Sequence, residues 1–133
     1  MSKFEEKNFH VLLVTENITL RNNLGGKLRF QGYNVEYATG GFHALHLIEK
    51  NRDFHLLLIH DNMHDMSGFE ITSLARTHFS KEELPILFLS KEHKEEIVCD
   101  VLFAGANDFL IQTANYQSIM ERARKIFLDL TKA

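Results

Sequence analysis

The chain has 133 residues, of which 44% are hydrophobic and 25% are charged, as expected for one globular domain with a substantial core. Its formal net charge of −3 provides no basic field, which argues against binding to nucleic acid or to an anionic membrane. The single cysteine, Cys99, excludes an internal disulfide and suits a reducing compartment. No signal peptide or apolar run of membrane-spanning length is visible, so we expect a cytoplasmic domain.

The first 38 residues predict a strand, a helix and a second strand. Residues 11–14 form a continuous apolar run, which is typical of a strand buried on both faces. Asn17 or Thr19 can cap the helix that follows, and Gly32 suits its end because glycine adopts the left-handed conformation easily. The leucines at helical spacing are Leu20, Leu24 and Leu28. Residues 33–38 predict the second strand.

The remainder of the chain repeats this alternation. Further strands are predicted at residues 54–59, 86–89 and 108–111. The inward faces of the later helices are predicted to be Ala44, Leu45, Leu47 and Ile48; Phe69, Leu74 and Ala75; Ile97, Val98, Val101 and Leu102; and Tyr116, Ile119, Met120, Ala123, Ile126, Phe127 and Leu130. Five strands alternating with five helices predict a parallel sheet covered by helices on both faces, because parallel strands need crossover connections.

Functional residues in such a sheet are expected just beyond the carboxyl ends of the strands. The residues at these positions are Thr15, Glu16 and Asn17 after the first strand, His60 and Asp61 after the third, Ser90 and Lys91 after the fourth, and Gln112 and Thr113 after the fifth.

Three segments carry a resemblance to a known family: HDNMHDMSGFE at residues 60–70, PILFLS at 85–90 and AGANDFL at 104–110. In this order and spacing they resemble the receiver domain of bacterial response regulators, over about residues 9–130. The resemblance implies a flavodoxin-like α/β fold, a doubly wound (βα)5 sandwich in which a five-stranded parallel sheet has helices on both faces. It implies a single receiver-like domain over residues 1–133, and leaves open that this is the N-terminal domain of a longer protein with a C-terminal effector domain.

The resemblance also implies where the family's phosphorylation chemistry would lie. In the family, two acidic residues after the first strand and an acceptor aspartate after the third hold Mg²⁺, while a serine or threonine and a lysine contact the phosphoryl oxygens. The acceptor position is found by counting back from Gly68. The corresponding residues here are Thr15, Glu16, His60, Ser90 and Gln112.

This pocket is degenerate, because the acceptor, one acidic residue and the lysine are all replaced. Mg²⁺ requires a site rich in oxygen ligands, and Gln112 has no charge to stabilise a transferred phosphoryl group. We therefore expect no bound metal, no cofactor and no enzymatic activity. The favoured hypothesis is a pseudo-receiver, which acts in a two-component phosphorelay through protein contacts that need no phosphorylation.

Two alternatives remain. Asp61 could accept a phosphoryl group with Mg²⁺, although side chains alternate along a strand and Asp61 is expected to turn away from the pocket. Alternatively, the vacated pocket could bind a small ligand.

His60 itself has two interpretations. It is either a neutral side chain that fills space and is hydrogen-bonded to a loop carbonyl, or a pH-responsive cation that pairs with Glu16. A transition-metal site made of His60, Asp61, His64 and Asp65 is not favoured, because the i, i+4 histidine pattern requires a helix and this segment is a strand end and loop. The family's cis-proline position is Thr113, and a cis bond there would cost ~2.5–4 kcal/mol, so a trans bond is predicted.

In the family, the face formed by the fourth helix, fifth strand and fifth helix contacts partners or a second copy. Ser90 and Phe109 correspond to the family's switch residues. Ser90 is equally well explained as a strand-end hydroxyl, and the alternative for Phe109 is a core phenylalanine of the fifth strand. The markers of this face here are Glu95, Cys99, Leu102, Phe103, Phe109, Tyr116 and Met120. We expect a protein partner or a homodimer at this face.

Overall fold

The computed structural model describes residues 9–61, 63–91, 95–111 and 116–131. Within them, strands and helices alternate strictly along the chain. The elements are β1 (His10–Val14), α1 (Ile18–Phe30), β2 (Asn34–Ala38), α2 (Gly41–Lys50), β3 (Leu56–His60), α3 (Gly68–Ala75), β4 (Ile86–Ser90), α4 (Glu95–Ala104), β5 (Asp108–Ile111) and α5 (Tyr116–Thr131). The strands form one parallel sheet in the order β2-β1-β3-β4-β5, which confirms the predicted doubly wound α/β fold.

The two faces of the sheet support separate hydrophobic cores, because successive side chains of a strand point in opposite directions. In β3, Leu56 and Leu58 pack with α1 and α5 on one face. Leu57 and Ile59 pack with α2, α3 and α4 on the other. This alternation decides which face each residue at the end of β3 can reach.

Local capping interactions fix where two of the helices begin and where one ends. Asn17 is the N-cap of α1, and its side chain accepts a hydrogen bond from the backbone N–H of Leu20 at 2.9 Å. Beyond the end of α1, Gly32 has φ of 97°, as predicted. Ser67 and Glu70 form a reciprocal capping box at the start of α3, which satisfies two backbone donors at once.

The predicted inward face of α3 is wrong in part. Phe69 and Leu74 are exposed, and the buried residues of the helix are Gly68, Ile71, Thr72 and Ala75. The reason is a close contact at the first residue of the helix: a Cβ on Gly68 would lie 2.1 Å from Cε2 of Phe88. Gly68 therefore faces the sheet, and helical spacing turns Phe69 outward.

Helix α4 also differs from expectation. Val101 is its buried residue, whereas Leu102, predicted to face inward, is 40% exposed. Ile97 and Val98 are half-buried, so α4 presents a narrow apolar stripe to the core. Among the described helices, none has the length and apolar character needed to cross a bilayer.

Candidate functional site

The carboxyl ends of β1, β3 and β4 form a rim where the candidate residues meet. Val14 pairs with Ile59, so Thr15 and His60, one residue further on, lie side by side on one face. His60 pairs with Leu89, which places Asp61 beside Ser90 on the opposite face. The rim therefore has two pairs of neighbouring polar residues.

The first pair is a buried hydrogen bond between Thr15 and His60. Thr15 Oγ1 and His60 Nδ1 are 2.9 Å apart, and the two residues are only 2% and 1% exposed. The same hydroxyl accepts a hydrogen bond from the backbone N–H of Asn17 at 3.0 Å. Buried polar groups are stable only when they are hydrogen-bonded, so this chain allows an imidazole to occupy the rim.

The second pair joins Ser90 and Asp61. The hydroxyl of Ser90, which is fully buried, donates to Oδ2 of Asp61 at 3.0 Å. Asp61 does face away from His60, as strand alternation predicts. The expectation that it would leave the pocket is wrong, however, because its carboxylate bonds to a residue of the predicted pocket. The cause is the register of β3 and β4, which places these two residues side by side.

Glu16 has a histidine partner, but that partner is His64 and not His60. Both the backbone N–H of His64 and its Nδ1 contact the Glu16 carboxylate, the latter at 2.6 Å. This interaction raises the pKa of His64 and lowers the pKa of Glu16. His64 is 95% exposed, so the pair is a solvated link between two loops of the rim. Of the two interpretations of His60, the one that pairs it with Glu16 is not supported, because Glu16 pairs with His64 and His60 bonds to Thr15.

Asp65 connects the same loop to the start of α2. Its two carboxylate oxygens accept hydrogen bonds from the backbone N–H groups of Gly41 and Phe42 at 3.0 and 3.2 Å. These bonds lower the pKa of Asp65, because they stabilise the charged form at a helix N-terminus. The distance in sequence between Asp65 and Gly41 left no local signal for this contact.

These contacts bear on whether the histidines and aspartates of residues 60–65 could form a transition-metal site. His60 bonds to Thr15, Asp61 to Ser90, His64 to Glu16, and Asp65 to the start of α2. The four side chains thus engage four different partners. In the part of the chain that the structure describes, no group of three or more His, Cys, Asp or Glu residues is arranged to hold a metal ion.

The remaining predicted residues belong to the part of the chain that follows the start of β4. Gln112 and Thr113 lie outside the described residues, as does the side chain of Tyr116. Phe109 is half-buried and stacks on Phe88, with ring centroids 6.0 Å apart. On α4, Cys99 and Phe103 are exposed to solvent.

Known proteins that share sequence and fold with this chain identify its family. The profile of the response regulator receiver domain matches residues 11–124. This chain belongs to the receiver domain family. It is 28% identical to the chemotaxis protein CheY-3 of Vibrio cholerae over 96% of its length and 98% of that protein. It is 25% identical to the two-component response regulator ORR3 of rice, over 90% and 91% of the two chains.

Solved structures agree with this assignment. The receiver domain superposes on CheY4 of Vibrio cholerae with a TM-score of 0.82 and 29% identity, over 89% of this chain and 98% of the other. It also superposes on a probable two-component response regulator/GGDEF domain protein with a TM-score of 0.88 and 27% identity. This second superposition includes 94% of the present chain and about half, 51%, of the longer chain. The protein is therefore a CheY-like receiver domain of two-component signalling.

Proposed function

We propose that this receiver domain is a pseudo-receiver, which transmits its signal through protein contact without aspartyl phosphorylation. The observation that supports this most directly is the buried bond between Thr15 and His60. These residues stand where the family has a metal-binding carboxylate and the acceptor aspartate. An imidazole and a hydroxyl that are hydrogen-bonded to each other provide no carboxylate at these two positions to receive a phosphoryl group.

The electrostatics of the rim support the same proposal. Mg²⁺ binds to carboxylates and other oxygens in near-octahedral geometry and gives up its waters reluctantly. The carboxylate of Glu16 is engaged by the main chain and side chain of His64, and Asp61 accepts from Ser90. A magnesium ion would have to displace these partners and would still lack the carboxylate replaced by Thr15.

Transfer of a phosphoryl group would also lack its cation. The position of the family's lysine is occupied by Gln112, whose amide can donate a hydrogen bond but has no positive charge. Stabilisation of charge that develops during transfer is usually the largest part of catalysis at such sites. The loss of the acceptor, a metal ligand and the cation favours a contact-based signal.

The surface for this contact is proposed to be the face of α4, β5 and α5. Phe103, Leu102 and Cys99 on α4 are exposed. When a partner covers an aromatic side chain that is exposed in the free domain, the free energy of the system falls. A partner protein or a second copy of the chain can therefore bind there without any change in covalent state.

One observation favours a second candidate function, a phosphoacceptor that uses Asp61. Ser90, the residue retained at the family's phosphoryl-contacting position, bonds to the Asp61 carboxylate at 3.0 Å. This arrangement places an ionisable oxygen and a hydroxyl together on the rim. Phosphorylation at Asp61 would then use the face of the sheet opposite to His60.

Intact-mass measurement separates the two candidates. The domain, its Asp61→Asn variant and a phosphorylatable receiver domain are incubated with a small phosphodonor and Mg²⁺. We expect the phosphorylatable receiver to gain one phosphoryl group while both forms of this domain remain unmodified. A phosphoryl group gained by the wild-type domain and lost in Asp61→Asn would contradict the pseudo-receiver and establish the second candidate.

A further inference from the structure

Two helices of the domain carry charges of a single and opposite sign. Helix α1 contains three basic residues, Arg21, Lys27 and Arg29, and no acidic residue. Helix α4 contains Glu95, Glu96 and Asp100 and no lysine or arginine. The two helices pack on opposite faces of the sheet, α1 with one core and α4 with the other. A basic and an acidic surface thus point away from each other on one molecule.

The basic helix borders a groove that it shares with α5. The groove measures about 720 Å³, which is within the range of specific binding sites. Its lining residues are Asn22, Asn23, Gly26, Lys27, Phe30, Gln31, Gln117 and Met120. Phe30 at its border is 90% exposed.

Gly26, inside α1, has no explanation in the isolated domain. A Cβ at this position would have nothing within 4 Å, whereas one on neighbouring Gly25 would lie 2.4 Å from the hydroxyl oxygen of Tyr37. Glycine disfavours a helix relative to alanine, and the open space at Gly26 leaves room for a partner to approach the helix backbone closely.

The acidic helix presents an aromatic side chain that matches this groove. Glu96, Cys99, Asp100 and Phe103 follow one another at i, i+3, i+4 and i+7 and are all exposed, so they form one stripe along α4. Phe103 is 93% exposed. The stripe therefore combines an aromatic anchor with two carboxylates one and two turns away.

We propose that the domain associates head to tail with a second copy of itself, so that Phe103 of one copy enters the α1–α5 groove of the next. Pairing α1 with α1, or α4 with α4, would bring like charges together, and like charges across an interface suppress association. Pairing α4 with α1 brings Glu96 and Asp100 towards Lys27. The contact is heterologous, so each copy in a dimer keeps one free surface, and further copies add until the assembly closes into a ring or extends as a filament.

The other charged groups of the groove are compatible with this pairing. From α5, Glu121 and Arg124 border the adjoining depression, and Glu121 is hydrogen-bonded to Gln117. The guanidinium groups of Arg21 and Arg29 lie over the ring of Tyr37, 5.6 and 4.9 Å from its centroid. Lys27 is therefore the basic residue of α1 that borders the groove itself.

This inference rests on the proposed function in one respect, that α4 is a contact surface. The two can nevertheless fail separately. Phosphorylation of Asp61 would contradict the pseudo-receiver and leave self-association untouched. A domain that stays monomeric would contradict self-association while leaving its covalent state unchanged.

Sedimentation velocity across a wide concentration range, in low and in high salt, tests the proposal. We expect the wild-type domain to associate more as its concentration rises and less in high salt, because the charge contacts are screened. Lys27→Glu alone, and Glu96→Lys combined with Asp100→Lys, should each weaken association about tenfold. A mixture of the two variants should associate again, because each supplies the charge that the other lacks.

Two further variants distinguish the interface from folding. Gly26→Ala should raise the melting temperature of the domain, since alanine favours the helix, and yet weaken association. Phe103→Ala removes an exposed anchor and should weaken association about tenfold with the melting temperature unchanged. A domain that is monomeric at every concentration would overturn the proposal. So would association that responds to the α4 variants but not to Lys27→Glu, because this would indicate a symmetric contact through α4.

Discussion

His60 and Asp61 are consecutive residues, yet they belong to two very different regions of the rim. His60 lies on the face of α1 and α5, is almost fully buried and bonds to the neutral hydroxyl of Thr15. Asp61 lies on the face of α2, α3 and α4, is half-buried and bonds to the hydroxyl of Ser90. The side with Thr15 and His60 is buried like a protein core, whereas the side with Asp61 carries a partly exposed carboxylate.

The difference follows from the strand register on the two sides of β3. A buried imidazole needs a hydrogen-bonding partner, and the register of β1 and β3 offers Thr15 at the neighbouring position. The pair closes that side without disturbing the strand. Asp61 and Ser90 form their own bond on the opposite face.

Charged residues introduced on the side of Thr15 and His60 test whether the difference between the two sides of the rim controls phosphorylation. Thr15→Asp, His60→Asp and Gln112→Lys in one chain restore the carboxylates and the cation found in the family. We expect Mg²⁺-dependent phosphorylation at residue 60 while the wild type remains unmodified, because the added carboxylates can bind Mg²⁺ and the added lysine can stabilise the transferred group. Intact mass after incubation with a small phosphodonor measures it.

The matched control carries Thr15→Asp and Gln112→Lys with His60→Asn. It keeps the restored surroundings without an acceptor carboxylate, so it should remain unmodified. Labelling that persists in this control would place the reaction at another residue, and would show that the closed side is not what prevents phosphorylation.

The two regions should also differ in their contribution to stability. His60→Ala removes a buried side chain and the bond to Thr15, and should lower the free energy of unfolding by about 2–4 kcal/mol. Asp61→Asn keeps an oxygen for Ser90 and should change it by less than about 1 kcal/mol. Urea denaturation monitored by circular dichroism measures both. Equal losses would mean that the two sides of the rim are equally well packed.

The fold could be predicted from the sequence because its strands are strongly marked. The run of apolar residues in β3 is buried on both faces, which is what a continuous apolar segment predicts. The orientation of α3 could not be predicted, because it depends on the contact between Gly68 and Phe88, residues from separate elements. Periodicity alone placed Phe69 and Leu74 inward, and tertiary packing turned them outward.

Four residues of the rim could be predicted from the sequence, but their hydrogen-bonding partners could not. Strand ends nominated Thr15, His60, Asp61 and Ser90, and the structure brings all four to one rim. Which residue bonds to which depends on strand register, which a single sequence does not specify. The contact between Glu16 and His64 joins residues 48 positions apart and involves a loop without periodicity, so no local pattern indicates it.

A smaller effect is expected from the hydroxyl of Thr15 itself. Thr15→Val keeps the shape of the side chain but leaves His60 Nδ1 and the N–H of Asn17 without this partner. The loss should be about 1–2 kcal/mol in the free energy of unfolding, with Thr15→Ser as the control that retains the hydroxyl. A double-mutant cycle with His60→Ala should give a coupling energy of at least about 0.5 kcal/mol. Additive losses would mean that the bond contributes nothing.

The smallest effect is expected from the solvated pair of Glu16 and His64, and it depends on pH. The pKa of His64 is raised above its ordinary 6.5, so its contribution is full below pH 6.5 and fades as the pH rises through the raised value. The pKa of Glu16 is lowered below its ordinary 4.5, so its contribution is full above pH 4.5 and fades as the pH falls through the lowered value. The pair therefore stabilises the domain most between these two ordinary values.

NMR titration measures the pKa of His64, and urea denaturation across this pH range measures what the pair of Glu16 and His64 contributes to stability. Glu16→Gln should return the pKa of His64 towards its ordinary value. His64→Ala should reduce stability most between pH 4.5 and 6.5, whereas His46→Ala, which removes another exposed histidine, should show no such window. If the effect of His64→Ala did not vary with pH, the bond to Glu16 would not form in solution. The buried bond between Thr15 and His60 would then remain as a link between the ends of β1 and β3.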